Sequence, residues 1–289
     1  MDFKINKIEK FLIKYKSSLI IIIAIIFVVG MFTLTFNNIP FVAPISFIFY
    51  FILTRAIASV AIIKNNKILK IRNTELELNK ALNATNQLID VTNPKDFQSL
   101  ALFYNNRIAY LIGMGEFEKA ENEICVFWQK FNTKKVSPLT LIAIHTNMAS
   151  IALEKRDFKT YEEQFQLICA YHSQNTNKVI KRYSKYAITN LQQSAEAIVA
   201  NENSNFDEYS ARVWHSIHLE PMKQKILTDE QVQPYSYLQA YENFFIFNQN
   251  KGDTEKAKTY AQQIINIANE QFYIYRKAKE YLENENSSN

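Results

Sequence analysis

Glycine and proline are scarce in this chain, which has four glycines and six prolines among its 289 residues. Ordinary domains contain about 7% glycine and about 5% proline. So few turn-forming residues predict long helices with few connections. The glycines, at positions 30, 113, 115 and 252, do not form the spacing of a dinucleotide-binding loop or a P-loop. This argues against a nucleotide-binding α/β fold.

Cysteine is also rare, and the two that occur, Cys125 and Cys169, each lie in apolar sequence of helical periodicity. In a cytoplasmic domain this setting predicts reduced, buried thiols. The sequence therefore indicates neither a disulfide framework nor a cysteine metal cluster.

Basic charge in excess is confined to one end of the chain. The formal net charge is +5, from 33 basic and 28 acidic residues, and residues 1–63 hold six of the basic and two of the acidic ones. The rest of the chain is close to neutral. A general nucleic-acid binder depends on neutralising phosphates, so this balance makes nucleic acid a poor candidate partner.

Side chains with catalytic potential are sparse. His215 and His218 are three residues apart, as two metal ligands on a helix would be, but no cysteine or carboxylate beside them completes a set. His145 and His172 stand singly in predicted helices, where packing or capping roles are expected. We predict that the protein is not an enzyme, with no catalytic residue, metal or cofactor.

Two long apolar runs, Leu19 to Phe36 and Phe41 to Ile63, are the most informative feature present. The connector between them is the uncharged Asn37-Asn38-Ile39-Pro40. The first run, as a helix, is about 27 Å long, enough to cross a thin bilayer core. A secretory signal peptide does not fit, because no small-residue cleavage pattern precedes Asn37 and a second run follows at once. The pattern predicts a two-helix membrane hairpin over residues 19–63.

Lysines flank this hairpin on both outer sides and are absent from its connector. The bias of basic residues towards the cytoplasm predicts a multi-pass protein of the cell membrane with both termini cytoplasmic, residues 1–18 forming a basic cytoplasmic N-terminus. Arg55 is the one charge inside the runs. It either extends to the inner-leaflet phosphates or faces a partner helix or acidic group of another membrane protein.

Residues 64–93 carry a weak heptad pattern, with Ile71, Leu78 and Thr85 at sevenfold spacing. We interpret this segment as a juxtamembrane linker helix, which either packs onto the next domain or forms a short oligomerising coiled coil. Asn93-Pro94 is expected to end it.

Beyond Pro94 the chain repeats itself. Four segments align without gaps at offsets of 41, 48 and 48 residues: EFEKAENEI from Glu116, DFKTYEEQF from Asp157, NFDEYSARV from Asn205 and DTEKAKTYA from Asp253. Each follows a stretch of helical periodicity, so the pattern predicts about four helix pairs. One aligned column holds Phe117, Phe158 and Phe206, and another holds Ala120, Tyr161, Tyr209 and Ala257. Large apolar residues just after a tight turn would clamp two helices together.

The repeat resembles the tetratricopeptide repeat, most visibly at residues 114–127 and 251–265. The turn glycines Gly115 and Gly252 match the family's pattern, as do the small residues Ala120 and Ala257. In the two middle units Arg156 and Ser204 replace the turn glycine, and the spacing exceeds the family's. The resemblance implies an all-α fold in which the hairpin is followed, over residues 94–289, by a cytoplasmic solenoid-like stack that binds peptides or proteins.

Four cations form a candidate partner-binding stripe on one predicted helix that starts near Asn177. Lys178, Lys181, Arg182 and Lys185 follow helical spacing, with Tyr183 and Tyr186 close by. The stripe is either a solvated surface or a site for an acidic peptide, a C-terminal carboxylate or the anionic inner leaflet, with nucleic acid a weaker alternative.

Aromatic residues crowd residues 235–247. The sequence predicts that some of them are exposed and are covered by self-association or by a partner. The crowded residues are Tyr235, Tyr237, Tyr241, Phe244, Phe245 and Phe247.

These patterns together predict a membrane-anchored scaffold or adaptor that binds a protein or peptide. Two alternatives belong to other classes: a peptide-binding sensor-regulator, and a membrane-tethered nucleic-acid binder such as a phage-defence factor. The composition, rich in lysine, isoleucine and asparagine, suggests an AT-rich bacterium.

Overall fold

The computed structural model describes residues 3–36, 42–200, 204–215 and 234–287, and in these ranges the fold is entirely helical, with no strand. The all-α prediction is confirmed. The twelve α-helices of the described residues are α1 (Lys7–Phe36), α2 (Val42–Lys70), α3 (Leu78–Val91), α4 (Phe97–Gly113), α5 (Phe117–Lys130), α6 (Pro138–Glu154), α7 (Phe158–Gln174), α8 (Lys178–Val199), α9 (Phe206–Trp214), α10 (Pro234–Lys251), α11 (Thr254–Ile267) and α12 (Tyr273–Ser287).

Helices α1 and α2 are long and apolar enough to cross a membrane. Their most apolar windows have a mean hydropathy of 2.3 and 2.0, and only 6% and 11% of these windows is buried. A core helix of a soluble protein would be mostly buried, so such exposure is not that of a core helix. The two helices pack together, with the Phe27 and Tyr50 rings stacked at 4.8 Å. The connector Asn37-Asn38-Ile39-Pro40 lies outside the described residues.

The segment predicted as one linker helix, residues 64–93, is divided into three parts. Helix α2 continues without interruption to Lys70, a π-helical turn spans Ile71–Glu75, and α3 begins at Leu78. The break falls at Leu76, whose φ of 55° is left-handed and whose side chain is buried. The linker is not a single helix, because this turn places Ile71, Leu76 and Leu78 in one core.

The heptad residues of α3 are covered by the same chain. Leu78, Ala81, Thr85 and Leu88 are buried, and α3 packs against α4. Of the two alternatives for this segment, the described structure corresponds to a linker packed on the next domain.

Helices α4 to α11 form four pairs of neighbours in sequence: α4 with α5, α6 with α7, α8 with α9, and α10 with α11. The first helices of these pairs also contact one another in order, α4 with α6, α6 with α8, and α8 with α10. Eight residues before the start of each aligned segment, in the first helix of the pair, lie Ile108, Ala149, Ala197 and Phe245, all buried to 1% exposure or less. The alignment therefore identifies positions of equivalent burial.

Three of the pairs are joined by the same turn. The N–H of Glu116 donates to the Leu111 carbonyl at 2.8 Å. The N–H groups of Asp157 and Asp253 likewise donate to the carbonyls of Ala152 and Asn248. This six-to-one hydrogen bond defines a Schellman ending, which needs a left-handed residue one position earlier. That residue is Gly115 (φ 74°), Arg156 (φ 57°) or Gly252 (φ 79°). Arg156 thus adopts the left-handed backbone conformation that glycine favours.

The C-terminal helix α12 connects distant parts of the fold. Arg276 donates to the Met114 carbonyl at 2.6 Å, and Lys277 forms a 2.8 Å ion pair with Glu154. The loop before α12 returns to the end of the π-helical turn, where Asn269 donates to the Leu76 carbonyl at 2.9 Å. One hydrophobic core therefore includes residues from α1, α2, α3, α4, α10, α11 and α12.

Candidate partner-binding site

Arg72, in the π-helical turn, lies among aromatic rings contributed by the first helices. Its guanidinium carbon is 4.4 Å from the centre of the Tyr235 ring and 5.9 Å from that of Tyr110. Its Nε donates to Asn73 at 2.6 Å, and in the described part of the chain no carboxylate lies within ion-pair distance of it. Arg72 is only half-buried. A guanidinium held by aromatic faces keeps donors for an anionic group.

Two tyrosines of α8 complete this Arg72 recess. Burial raises the pKa of Tyr183, and that of Tyr186 to about 12, while the charge of Arg72 opposes both shifts. Burial also raises the pKa of Tyr235, again opposed by Arg72. Yet Tyr183 is 40% exposed. We call this group of side chains, Arg72 with Tyr110, Tyr183, Tyr186 and Tyr235, the Arg72 recess; it reaches solvent at Tyr183.

The inner end of the recess contains unpaired hydroxyls. Tyr110 and Thr85 are fully buried, and neither hydroxyl has a hydrogen-bond partner of normal geometry. They are nevertheless within electrostatic reach of each other, and burial raises the pKa of Tyr110. Such groups are uncommon in native proteins.

A carboxylate follows Tyr235 two turns along α10. Burial raises the pKa of Glu242 to about 7, the nearby Glu154 carboxylate adds to the shift, and Lys277 opposes it. Lys277 forms its ion pair with Glu154, so two carboxylates, Glu154 and Glu242, share this one nearby cation. Glu242 therefore lies beside Glu154 and Lys277, and the charge at the recess itself is the guanidinium of Arg72.

Amide side chains connect the helices beside the recess. Asn106 donates to Asn65 at 2.7 Å between α4 and α2, and Asn147 donates to Asn105 at 3.0 Å between α6 and α4. Between α10 and α8, Asn243 donates to Gln193 at 3.0 Å. These bonds hold the first helices in fixed register, so the recess is largely pre-formed.

The six residues of the candidate partner-binding set all lie on α8, away from its buried face. Ile180, Ser184, Ala187 and Leu191 form the buried face of α8. The cations Lys178, Lys181, Arg182 and Lys185 are exposed, while Tyr183 and Tyr186 lie near Arg72. Tyr183 diverges by about 100° from Arg182 around the helix, whereas Tyr186, four residues after Arg182, lies on nearly the same side as it.

The predicted repeat-packing residues differ in burial. Ala120 and Ala257 are fully buried, and so is Phe206. Phe117 is half-buried against Tyr273, with ring centres 5.2 Å apart. Phe158 is 44% exposed, so in the second pair this aromatic position does not clamp the helices.

Arg55 is exposed on α2, with its guanidinium carbon 5.0 Å from the centre of the Phe51 ring. No acidic side chain pairs with it in the described structure. It lies two positions from Ile57, where α2 first becomes buried against the rest of the chain.

The thiols depart from the prediction. Cys125 is exposed and Cys169 is partly exposed, so the expectation of buried thiols is wrong. The reason is local: α5 buries Ala120, Ile124 and Phe127, and Cys125 lies on a different side of that helix.

The histidines pack as structural residues. His145 is buried, with Nδ1 2.8 Å from Gln164 Oε1, and burial lowers its pKa. His172 Nδ1 lies 2.8 Å from Ser184 Oγ. His215 is exposed, and His218 lies outside the described residues. Within the described ranges no group of three or more His, Cys, Asp or Glu could hold a metal ion.

The aromatic residues of α10 are not exposed, contrary to the sequence-based expectation. Phe245 and Phe247 are buried, and Tyr235, Tyr237, Tyr241 and Phe244 are half-buried. Helix α10 has neighbours on several sides, namely α8, α9, α11 and the π-helical turn. Beside it an open cleft of about 470 Å³ is lined in part by Phe206, Phe244 and Lys256. This cleft does not include Arg72.

The sequence analysis did not identify Arg72 as a site residue. The available signal was weak: it is an arginine where the neighbouring cations are lysines. Arginine stacks on aromatic faces and lysine does so less readily.

No protein-family model matches the chain, and comparisons with curated proteins and with solved structures give no match.

Proposed function

We propose that this is an integral membrane protein with two spans, whose cytoplasmic helical domain is a non-enzymatic scaffold that holds a protein or peptide partner at the membrane. The observation that carries the proposal is the Arg72 recess. It joins the end of a membrane helix to the first helices of the repeated pairs. A partner bound there would be attached to the bilayer through a rigid connection.

The tetratricopeptide-like interpretation of the domain is part of this proposal. It is supported by the order of contacts between first helices, by the repeated turn and by the burial of Ala120 and Ala257. In such stacks the first helices line the concave face, and peptides lie along it. The recess takes its tyrosines from the first helices α4, α8 and α10, which supports this proposal.

The chemistry of the recess indicates the kind of segment it would accept. Arg72 offers donors to a carboxylate, the tyrosines offer aromatic faces, and the asparagines offer amide groups. A peptide with an acidic side chain close to apolar or aromatic residues fits these groups.

A detergent pull-down with the full chain tests the function. Arg72→Gln should reduce recovery of the partner by more than tenfold, because a desolvated charged anchor contributes about 2 kcal/mol or more to binding. Lys70→Gln is the matched control, because Lys70 is exposed and lies two residues before Arg72. This substitution also removes one positive charge. Equal loss in both variants, or in neither, would rule out the recess as the site.

The orientation has its own test, using positions 38 and 289, which lie outside the described residues. A cysteine at Asn38 should react with an impermeant thiol reagent in intact cells, and a cysteine at Asn289 should not. The exposed native Cys125 should also remain unlabelled until the cells are opened. The opposite pattern would overturn the cytoplasmic placement of the domain.

A sensor-regulator is the second candidate, and the position of Arg72 favours it. Arg72 is separated from the end of α2 by Ile71 alone, so a ligand on its guanidinium would act on the end of a membrane helix. A peptide ligand should then raise the thermal midpoint of the full chain with the logarithm of its free concentration above the dissociation constant. Binding with a steep dependence on salt would instead indicate nucleic acid.

A further inference from the structure

The domain has a fixed orientation relative to the two apolar helices, and three contacts define it. Lys16 of α1 forms an ion pair with Asp96 at the start of α4. Further along, Asn65 of α2 bonds Asn106, and Arg72 faces Tyr110. Lys16 lies just before the start of the first apolar run. Along both α2 and α4, therefore, residue numbers increase with distance from that run. Helix α4 therefore begins near the membrane and runs away from it.

The other first helices begin on the same side. Gln98, at the start of α4, donates to the Lys135 carbonyl just before α6, and Asn105 pairs with Asn147 halfway along both helices. Helix α7 returns antiparallel, because His145 contacts Gln164.

Helix α8 then runs in the same direction as α6. His172 near the end of α7 contacts Ser184, and Tyr161 near its start reaches Leu191 at 3.5 Å. Ser184 is thus level with the starts of α4 and α6. The residues before it, from 178 onwards, project beyond that level towards the membrane by several ångströms at 1.5 Å per residue.

We propose that this edge of the domain rests on the cytoplasmic leaflet and that Lys95, Lys135, Lys178 and Lys181 bind anionic lipid headgroups. This rests on the proposed membrane location. All four side chains are exposed. Lys135 lies 5.5 Å from the Phe97 ring at the start of α4, which places its charge on this edge. Asp90 is also exposed near this edge, and the lysines outnumber it.

The opposite edge has a different character. It contains the three Schellman turns, in which Glu116, Asp157 and Asp253 stand at the start of the following helix. The carboxylates of Glu116 and Asp253 at that edge pair with Lys119 and Lys256, whereas in the described residues the four lysines of the leaflet edge form no ion pair and stay available to anionic phosphates. Each lysine close to such a leaflet strengthens association by about fivefold.

The test uses the full chain in nanodiscs that contain a headgroup-attached nitroxide lipid. Cys125 and Cys169 are replaced by serine, and a fluorophore is attached at Thr176→Cys, between α7 and α8, or at Lys159→Cys on the opposite edge. Both positions are exposed. Quenching should be several-fold stronger at 176 than at 159. It should increase when phosphatidylglycerol replaces phosphatidylcholine, and the increase should diminish with added salt.

Two charge variants separate electrostatic binding from simple proximity. Lys95→Gln, Lys135→Gln, Lys178→Gln and Lys181→Gln together should abolish the difference between phosphatidylglycerol and phosphatidylcholine. The control, Lys119→Gln with Lys251→Gln and Lys256→Gln, removes exposed lysines at the opposite edge and should preserve that difference. Circular dichroism confirms that each variant is folded.

Several outcomes would overturn the proposal. Stronger quenching at 159 would reverse the orientation, and equal quenching in both lipids would remove headgroup recognition. Loss of a protein partner from the quadruple variant, with quenching unchanged, would assign the lysines to that partner. Failure of the chain to enter nanodiscs at all would instead contradict the proposed membrane location, which is a distinguishable result.

Discussion

The side-chain amide of Asn106 donates a 2.7 Å hydrogen bond to Asn65 Oδ1 in the interior of the protein, where α4 crosses α2. Both side chains are buried, at 7% and 3% exposure. The pair is a polar contact that joins the C-terminal part of the apolar helix α2 to the first repeated pair.

Replacing Asn106 by alanine should lower stability by about 1–3 kcal/mol, because Asn65 then loses its partner in a buried position. Thermal unfolding of the full chain in detergent measures the change. Asn79→Ala, at an exposed position of α3, is the matched control and should alter the midpoint little. Equal effects at the two positions would contradict a specific role for the pair.

The three Schellman turns predict opposite effects of similar substitutions. Arg156→Gly should stabilise by about 0.5–1 kcal/mol, because it removes a left-handed non-glycine residue at the cost of some chain entropy. Gly252→Ala should destabilise by about 1 kcal/mol through conformation alone, since no atom lies within 4 Å of the added Cβ.

Gly115→Ala should cost clearly more than Gly252→Ala, because its Cβ would lie 2.6 Å from Tyr273 Cδ2. Thermal midpoints of the three variants, measured side by side, check the order. If Arg156→Gly proved the least stable of the three, the role assigned to these turns would be wrong.

Ala120 and Ala257 occupy equivalent positions in the first and last repeated pairs and are fully buried. Enlarging either to leucine should destabilise by about 1–3 kcal/mol through overpacking. Thr259→Leu, at an exposed position of α11, supplies the control. Tolerance of leucine at both alanines would remove the tetratricopeptide-like interpretation and leave the all-α fold intact.

Glu242 predicts a pH dependence of stability. Its pKa in the folded state is about 7, above the ordinary value of 4.5, because burial disfavours the charged form. Between these two values the folded state binds more protons than the unfolded state, so this group makes the protein less stable as pH rises from about 4.5 to about 7.

Glu242→Gln should therefore resemble the natural protein near pH 4.5 and be more stable above pH 7, judged by thermal midpoints across that range. Glu154 and Lys277 remain in both proteins, so they cancel in the comparison. Glu118→Gln, an exposed carboxylate, should show no such divergence. A constant difference at all pH values would contradict the assignment.

Local pattern was sufficient for the parts of this protein that depend on neighbours in sequence. The apolar length of residues 19–36 and 41–63 determined two helices able to span a membrane, and scarce glycine and proline determined an all-α fold. Asn177 and Asp157 begin helices by accepting hydrogen bonds from backbone N–H groups two or three residues later, a relation that a sequence shows directly.

Tertiary structure alone decided which of these elements meet. The Arg72 recess unites residues from the π-helical turn, α4, α8 and α10, more than 160 positions apart, and no periodicity reports such separations. The exposure of Cys125 and the partial burial of the α10 aromatics depended likewise on which helix faces found neighbours. Periodicity specifies an apolar face, but the partner of that face is selected by the packing of the whole chain.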